Sequence, residues 1–241
     1  MTQHGKKYRQ ALGTIDREKL YSPIDAVRTL KELETASFDE AVEVHFRLGL
    51  NVRHADQQLR GTLMLPHGTG RDVRVAVFAE GDKAREAEEA GADIVGSADL
   101  AAKIEGGFVD FDVAIATPDQ MGNVGKLGRV LGPRGLMPNP KTGTVTFDVG
   151  KAVSDAKAGK LEYRTDRGAN VHVAIGKKSF DERSLVENYA ALVEEIVRAK
   201  PASSKGRYIK GVTLTSTMGP GLHIDPTRVR GIVEDLEGAT A

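Results

Sequence analysis

The sequence predicts a mixed protein in which an α+β domain, built from both ends of the chain, is interrupted by an inserted α/β domain. Its strands first alternate apolar and polar residues, become continuously apolar within residues 72–116, and return to the first style after residue 160. Alternating strands are typical of antiparallel sheets with one solvated face, whereas short apolar strands between helices indicate a parallel sheet covered on both faces. We therefore predict a discontinuous domain over residues 1–69 and 159–241, and a three-layer, Rossmann-like domain over residues 70–158.

The first terminal segment carries the signals of one helix and two strands. Ser22 is a hydroxyl N-cap in front of Pro23 and Asp25, and apolar residues then recur at helical spacing. Alternation from Val42 to Leu50 predicts a strand that is buried on one face and solvated on the other. The predicted elements are a helix over 22–34, strands over 42–50 and 59–65, and a linker or turn over 66–70.

The middle segment carries continuously apolar strands, and the last segment carries strands of the alternating kind. Ser97 is a candidate cap for one middle helix, and Ser179–Glu182 is a capping box for the long helix of the last segment. The middle segment predicts strands over 73–78, 94–95 and 113–116 and helices over 82–90, 97–104 and 151–158. The last segment predicts strands over 161–165 and 171–175 around the turn 166–169, a helix from 182, and a strand over 208–217 broken at 218–221.

The composition excludes several chemistries. The 241 residues include no cysteine, so disulfides, thiolate metal sites, iron–sulfur clusters and cysteine nucleophiles are excluded. No stretch of about 18 apolar residues occurs, and the first ten residues carry no signal-peptide core. We therefore expect a cytoplasmic protein without a membrane partner.

A nucleotide-dependent enzyme that uses the inserted α/β domain is the alternative function. The glycine-rich segment 122–128 contains Gly125-Lys126, but Gln120 stands where a P-loop needs glycine and Leu127 where it needs a hydroxyl. The histidines show no metal-binding spacing, and no serine-nucleophile motif occurs. These histidines are His4, His45, His54, His67, His172 and His223. We expect no catalytic residue, no metal and no cofactor.

Two stretches of the chain carry basic residues and no acidic ones, although 34 basic and 34 acidic residues leave the whole chain neutral. The stretch between Asp119 and Asp148 contains no acid and carries Lys126, Arg129, Arg134 and Lys141. The stretch between Glu195 and Asp225 contains no acid and carries Arg198, Lys200, Lys205, Arg207 and Lys210. Local positive charge without acids favours contact with phosphate groups.

Three features favour RNA as the partner. Residues 128–141 are rich in glycine and proline and predict a rigid basic loop, in which backbone and arginine can approach phosphates. Hydroxyl residues alternate over 213–217, where they can bond to RNA 2′-hydroxyl groups or simply face solvent. Phe38 is the one candidate for an exposed stacking aromatic, and it can equally belong to the core.

Three segments carry a resemblance to a known family. They are Leu127–Pro138, Thr215–Pro220, and Leu59–Thr62 with Leu65–Gly70. In their order along the chain, these segments resemble the family of the first protein of the large ribosomal subunit, which lies on the mobile stalk beside the tRNA exit site. The resemblance spans essentially the whole chain and is closest to bacterial members. It implies a discontinuous domain that binds 23S ribosomal RNA and an inserted second domain.

The resemblance also implies the site residues and the partners. The matching RNA-binding positions are Phe38, Asp166, Arg167, Gly168, His172, Thr215, Ser216, Thr217, Met218 and Gly219, to which the acid-free stretch adds Lys205 and Lys210. The basic residues Lys126, Arg129, Arg134 and Lys141 are expected to face tRNA or more ribosomal RNA. The expected role is structural, within the large (50S) subunit, with help in releasing deacylated tRNA from the exit (E) site and repression of its own messenger RNA.

Two departures from the family pattern affect these expectations. Ala41 stands where the family commonly has an RNA-contacting threonine, and the chain is neutral where bacterial members are usually basic. We therefore expect weaker electrostatic affinity, or more reliance on shape and hydrogen bonds. A regulator that binds only messenger RNA and never enters the ribosome stays open as a third function.

Overall fold

The chain divides into two compact units, each described here by itself. The computed structural model describes residues 5–228 and 231–232, so His4 lies outside the described residues. Unit 1 comprises the residues up to Gly70 together with those from Glu162 onward, and unit 2 comprises Arg71–Leu161. The chain therefore crosses between the units after residues 70 and 161, whereas the sequence places the crossings after residues 69 and 158.

Helices and strands are mixed in both units. Within the described residues the helices are α1 Lys6–Thr14, α2 Pro23–Glu32, α3 Asp82–Glu89, α4 Ala98–Glu105, α5 Met121–Lys126, α6 Gly128–Leu131, α7 Val149–Lys157 and α8 Glu182–Arg198. The strands are β1 Ala41–Leu48, β2 Arg60–Met64, β3 Val75–Phe78, β4 Ile94–Gly96, β5 Val113–Ala116, β6 Lys160–Arg164, β7 Asn170–Lys177, β8 Ile209–Ser216 and β9 Leu222–Ile224.

Unit 1 is built on an antiparallel sheet with the strand order β7-β1-β8-β9. The alternation in β1 buries Val42, Val44, Phe46 and Leu48 completely or nearly so, while the residues between them stay partly or fully exposed. Helices α2 and α8 contact this sheet, and Leu30, Leu185, Leu192 and Ile196 are buried with it. The half-buried strand that the sequence predicts is therefore present. One face of the sheet holds the core, and the other is left free for a site.

The cap predicted at a helix start is confirmed at Ser22, confirmed only in position at Ser97, which is the N-cap residue of α4, and wrong at Ser179. Ser22 caps α2, since its Oγ accepts a hydrogen bond from the amide of Asp25 at 3.1 Å. Ser179 does not cap α8: Asp181 is the N-cap, and the hydroxyl of Ser179 donates instead to Asp39 at 2.7 Å. Ser97 makes no capping bond, because its hydroxyl is taken by the side chains of Glu80 and Gln120. In both cases the serine hydroxyl bonds to side chains distant in sequence instead of capping the helix.

Unit 2 is built on a parallel sheet with the strand order β4-β3-β5. Successive residues of β3 enter two different cores. Ala76 and Phe78 belong to a cluster with α4, α5 and α6, whereas Val75 and Val77 belong to a cluster with α3 and α7. The sheet thus has helices against both faces, which is why its strands are continuously apolar.

Two further findings concern segments outside the sheets. The sequence predicts no helix before Ser22, yet α1 covers Lys6–Thr14. Only Ala11 of this helix is buried, so its apolar pattern is too weak to be read from the sequence. No helix in the described part of the chain is long and apolar enough to span a membrane.

Candidate RNA-binding site

The solvent-facing side of the sheet in unit 1, which we call the open face, carries polar side chains from four strands. The open face comprises Glu43, His45 and Arg47 of β1, His172 of β7, Thr213 and Thr215 of β8, and His223 of β9. With about 3.3 Å per residue and about 4.8 Å between strands, it is a strip about 17 Å long and about 14 Å wide. A flat polar strip of this kind suits the wide, shallow minor groove of an RNA helix.

A row of three histidines and a threonine crosses the middle of the open face. The strand register places His172 beside His45, His45 beside Thr213, and Thr213 beside His223. The Nδ1 atoms of His45 and His172 are 2.9 Å apart, and Thr213 Oγ1 is 3.3 Å from His223 Nδ1. Burial, followed by the neighbouring His172, lowers the pKa of His45 below its ordinary value, while Glu43 acts in the opposite direction. The row therefore offers imidazole and hydroxyl groups as hydrogen-bond donors and acceptors to a ligand.

One end of the open face is formed by the tight turn Thr215–Gly219, which we call the 215–219 turn. Thr217 is fixed to the start of β1, where its hydroxyl accepts the amide of Ala41 and its own amide donates to the Ala41 carbonyl, both at 3.1 Å. The Met218 side chain is 56% exposed. A side chain at Gly219 would place its Cβ 2.4 Å from Ser216 Oγ, so the turn requires glycine there. The turn is rigid and presents Met218 to solvent.

Ser216 differs from the other residues of this turn. Its side chain is buried, and its hydroxyl donates to Glu40 Oε1 at 3.1 Å. The sequence groups Ser216 with the RNA-contacting residues, but the structure directs its hydroxyl inward. Ser216 therefore stabilises the turn through a buried hydrogen bond and does not face solvent.

Phe38 lies three residues before β1, in the segment whose Glu40 accepts the Met218 amide. It is 56% exposed, so the reading of Phe38 as part of the core is wrong. It lines a groove of about 400 Å³ together with Lys7, Asp39, Glu40 and Lys178. An exposed aromatic ring of this kind is available to stack on a base or pack on a ribose.

The opposite end of the open face is formed by the turn that precedes β7. Asp166 organises it, since its side chain accepts hydrogen bonds from the amides of Gly168 and Asn170 at 2.8 and 2.7 Å. The bond from the Asn170 amide, together with those from the Asn170 side chain, His172 and Gly168, lowers the pKa of Asp166 to about 2. Ala169 has φ 61°, a left-handed conformation that these bonds hold in place. Asp166 therefore shapes the turn, and Arg167 is exposed on it.

The structure separates the predicted contact residues into two groups. Phe38 and the 215–219 turn lie at one end of the sheet, whereas the 166–168 turn lies at the other, beside Arg47. Lys210 is also at this second end, in a bulge of β8 next to Gly49. Lys205 is exposed in the segment before β8. His172, in the central row, lies between the two groups, so the open face is what connects them.

The basic residues predicted for the inserted segment are all exposed in unit 2. Lys126 ends α5, Arg129 lies in α6, Arg134 follows it, and Lys141 lies in a short 3-10 helix over Pro140–Thr142. The prediction of a loop over 128–141 is wrong at its start, because Leu127 and Leu131 are fully buried and draw residues 128–131 into a helix. Residues 122–126 are helical as well, so this glycine-rich segment is not a phosphate-binding loop.

Sequence reasoning missed several residues of the open face as site residues. Glu43, His45 and Arg47 were assigned to a solvated strand face, and His223 was assigned no role. Alternation alone shows that such residues share a face, but only the strand register shows that His172, Thr213 and His223 lie on the same one. In the described part of the chain, no group of three or more acidic or histidine side chains is arranged to hold a metal ion.

The comparisons with known proteins show the family of the chain. Residues 30–220, which include β1 and the 215–219 turn, match the model of the ribosomal protein L1p/L10e family. The chain belongs to this family. It is 58% identical over 235 residues to the large ribosomal subunit protein uL1 of Mycolicibacterium vanbaalenii, covering 98% of this chain and all of that protein. It is 59% identical over 237 residues to the protein of the same name from Saccharopolyspora erythraea, with the same coverage.

Membership of this family bears on the alternative functions. Both relatives are named as proteins of the large ribosomal subunit, and neither is named as an enzyme. The nucleotide-dependent enzyme is therefore not supported, in agreement with the helical form of residues 122–126.

Proposed function

We propose that this chain is a structural component of the large ribosomal subunit that binds the stalk region of 23S ribosomal RNA through the open face of unit 1. The observation that carries the proposal is the polar strip of the open face, with the rigid 215–219 turn at one end and the 166–168 turn at the other. The family membership and the names of the two relatives support it. As part of the ribosome, the chain acts in the cytoplasm.

The open face recognises RNA mainly by shape and hydrogen bonding. Glu43 and Asp166 lie among its polar residues, so the face is not a uniformly basic surface. Hydroxyl and imidazole groups of the central row bond to 2′-hydroxyl groups and base edges in a minor groove. Met218 packs on a ribose or base, and Phe38 stacks beside it. Arg47, Arg167 and Lys210 contact phosphates at the far end of the strip.

The two units have different tasks in this proposal. The terminal residues 1–69 and 159–241 form the RNA-binding domain, and residues 70–158 form an inserted, Rossmann-like domain. The exposed cations of unit 2 (Lys126, Arg129, Arg134 and Lys141) contact the E-site tRNA during its release. The open face also binds a similar fold in the chain's own messenger RNA and represses its translation.

Matched pairs of variants test whether the 215–219 end contacts RNA. We expect Met218→Ala and Phe38→Ala each to weaken binding of a 23S stalk fragment by about tenfold, as loss of base or ribose packing does. The controls are Met64→Ala in β2 and Phe147→Ala in unit 2, which remove exposed side chains that are not part of the open face. Equal effects of test and control variants would contradict the assignment of the site.

Sedimentation separates the ribosomal role from regulation alone. The chain should co-sediment with large subunits in a cell extract, and Met218→Ala should lower that association. A chain that binds the leader of its messenger RNA but never sediments with large subunits would contradict the structural role.

A further inference from the structure

A buried carboxylate lies directly behind the 215–219 turn. Glu40, the residue before β1, is an acidic residue that is only 1% exposed. Its Oε1 accepts the Met218 amide at 2.8 Å and the Ser216 hydroxyl at 3.1 Å, and its Oε2 accepts the Thr35 hydroxyl at 2.6 Å. These donors are two hydroxyl groups and a backbone amide, all of them uncharged. Burying a carboxyl group is costly unless its oxygens are hydrogen-bonded, so its neighbours must be arranged around it.

The contacts of Glu40 define the shape of the turn. Its Oε1 holds both Ser216 and Met218, which stand on either side of Thr217. The Ser216 hydroxyl, fixed in this way, is the atom that a side chain at residue 219 would strike. The carboxylate therefore holds the 215–219 turn on both sides of Thr217.

Glu40 is itself braced by the neighbouring strand and loop. Its carbonyl accepts the Lys178 amide at 2.8 Å, and the adjacent Asp39 accepts both the amide and the hydroxyl of Ser179. The Glu40 backbone is thus held from the segment after β7, and its carboxylate is held by Ser216 and Met218 on one oxygen and by Thr35 on the other. A group fixed from three sides can act as a template for a turn that must not move when a ligand binds.

From these contacts we propose that Glu40 is a positioning residue for RNA binding: it touches no RNA, and it preorganises the 215–219 turn in the form that binds. This inference rests on the proposed function. Its physical basis is that a preorganised turn loses less conformational freedom on binding than one that must order itself.

Two variants of Glu40 distinguish positioning from charge. Glu40→Ala removes both acceptors, and we expect it to weaken binding of the 23S stalk fragment by about tenfold or more. Glu40→Gln keeps one oxygen for the Met218 amide and the Ser216 hydroxyl, while its amide group can donate to Thr35. We therefore expect Glu40→Gln to bind within about threefold of the unchanged chain. Amide hydrogen exchange at Met218 should rise in Glu40→Ala and stay slow in Glu40→Gln.

A control variant tests whether a general loss of stability explains the weaker RNA binding of Glu40→Ala. Asn188→Ala removes another buried polar side chain of unit 1, one that bonds to the 67–68 segment and to the Ile175 carbonyl of β7, none of which belongs to the open face as defined above. We expect it to lower stability without changing RNA affinity by more than about twofold. Unchanged affinity in folded Glu40→Ala, or equal losses of affinity in Glu40→Ala and Asn188→Ala, would overturn the inference. If the unchanged chain does not prefer the stalk fragment over scrambled RNA, the proposed function fails instead, and hydrogen exchange at Met218 still decides whether Glu40 holds the turn.

Discussion

The Nδ1 atoms of His45 and His172 lie 2.9 Å apart on neighbouring strands of the open face. A hydrogen bond between two imidazole nitrogens requires one to carry a proton and the other to accept it. The outer nitrogens face carboxylates, with His172 Nε2 3.4 Å from Asp166 and His45 Nε2 3.8 Å from Glu43. These four side chains form a line of contacts that joins the 166–168 turn to β1. Protonation of both rings would break its central bond.

The stability of unit 1 should fall as the pH drops through the histidine range. Burial and His172 lower the pKa of His45 from 6.5, so on acidification the unfolded chain takes up this proton before the folded chain does. The free energy of unfolding therefore decreases as the pH falls below 6.5 toward the folded pKa. We expect His45→Gln to reduce this slope in thermal unfolding between about pH 8 and about pH 5, and His54→Gln, at an exposed loop position, to leave it unchanged. If His45→Gln has the same slope as the unchanged chain, His45 is not the cause of this pH dependence.

Replacing the Thr217 hydroxyl should affect binding more than folding. Thr217→Val keeps the shape of the side chain and removes the acceptor of the Ala41 amide. We expect a loss of about 1 kcal/mol in stability and a weakening of stalk RNA binding by about tenfold. Chemical denaturation and filter binding measure the two quantities. A variant that loses stability but binds RNA normally would show that Thr217 has only a structural role.

Asp166 should matter to the 166–168 turn and to acid stability. Asp166→Asn places an amide where Asp166 now accepts bonds from Asn170 Nδ2 and His172, so we expect a loss of about 1 kcal/mol. The pKa of Asp166 is lowered from 3.8 to about 2, so its contribution is present above pH 3.8 and is lost as the pH falls toward 2. The variant should lose less stability than the unchanged chain over that range. Asp119→Asn serves as the control at an exposed position in unit 2, and equal acid profiles in all three chains would contradict this assignment.

Asn188 should be among the most sensitive polar positions of unit 1. It is fully buried in α8, where its side chain accepts the His67 amide and donates to the carbonyls of Gly68 and Ile175. Asn188→Leu leaves these three backbone groups without this partner, which should cost about 3 kcal/mol or more. Urea denaturation measures the loss. A cost below about 1 kcal/mol would mean that water or a shift of the 67–68 segment satisfies these groups.

Removing charge from unit 2 should affect tRNA and spare the 23S stalk fragment. We expect Arg129→Gln combined with Lys141→Gln to slow release of deacylated tRNA from ribosomes that carry the variant, while stalk RNA affinity stays within about twofold. The control pair, Arg85→Gln with Lys103→Gln, removes the same charges from exposed positions elsewhere in unit 2. Equal rates of tRNA release in both pairs would contradict a tRNA-facing role for Arg129 and Lys141.

Periodicity predicted the elements more reliably than it predicted their ends. The alternation from Val42 onward marked β1, and the apolar run at 75–78 marked a strand covered on both faces, because each pattern reflects burial directly. Ser179 could not be read correctly, since Asp39, distant in sequence, takes its hydroxyl. The same limit applies to helix α6, which forms because Leu131 is buried in a core assembled from separate segments.

The sequence names residues of the candidate site but not their arrangement. Phe38 is named as a candidate exposed aromatic and the 215–219 turn through the family resemblance, and Phe38 and Met218 are exposed whereas Ser216 is buried. The pairing of His45 with His172 depends on strand register, which alternation within one strand does not reveal. Glu40 is an ordinary acid in the sequence, and only its burial beneath Ser216 and Met218 gives it a role.

The most direct test of RNA recognition by the open face is a titration of the chain against the 23S stalk fragment and a scrambled RNA of equal length, repeated across salt concentrations. We expect nanomolar binding that prefers the stalk fragment by about a thousandfold or more, as site-specific binders show. Because the neutral chain relies on hydrogen bonds and shape, that preference should persist as salt is raised. Equal binding to both RNAs that disappears with salt would contradict the account, because it would show attraction by charge alone.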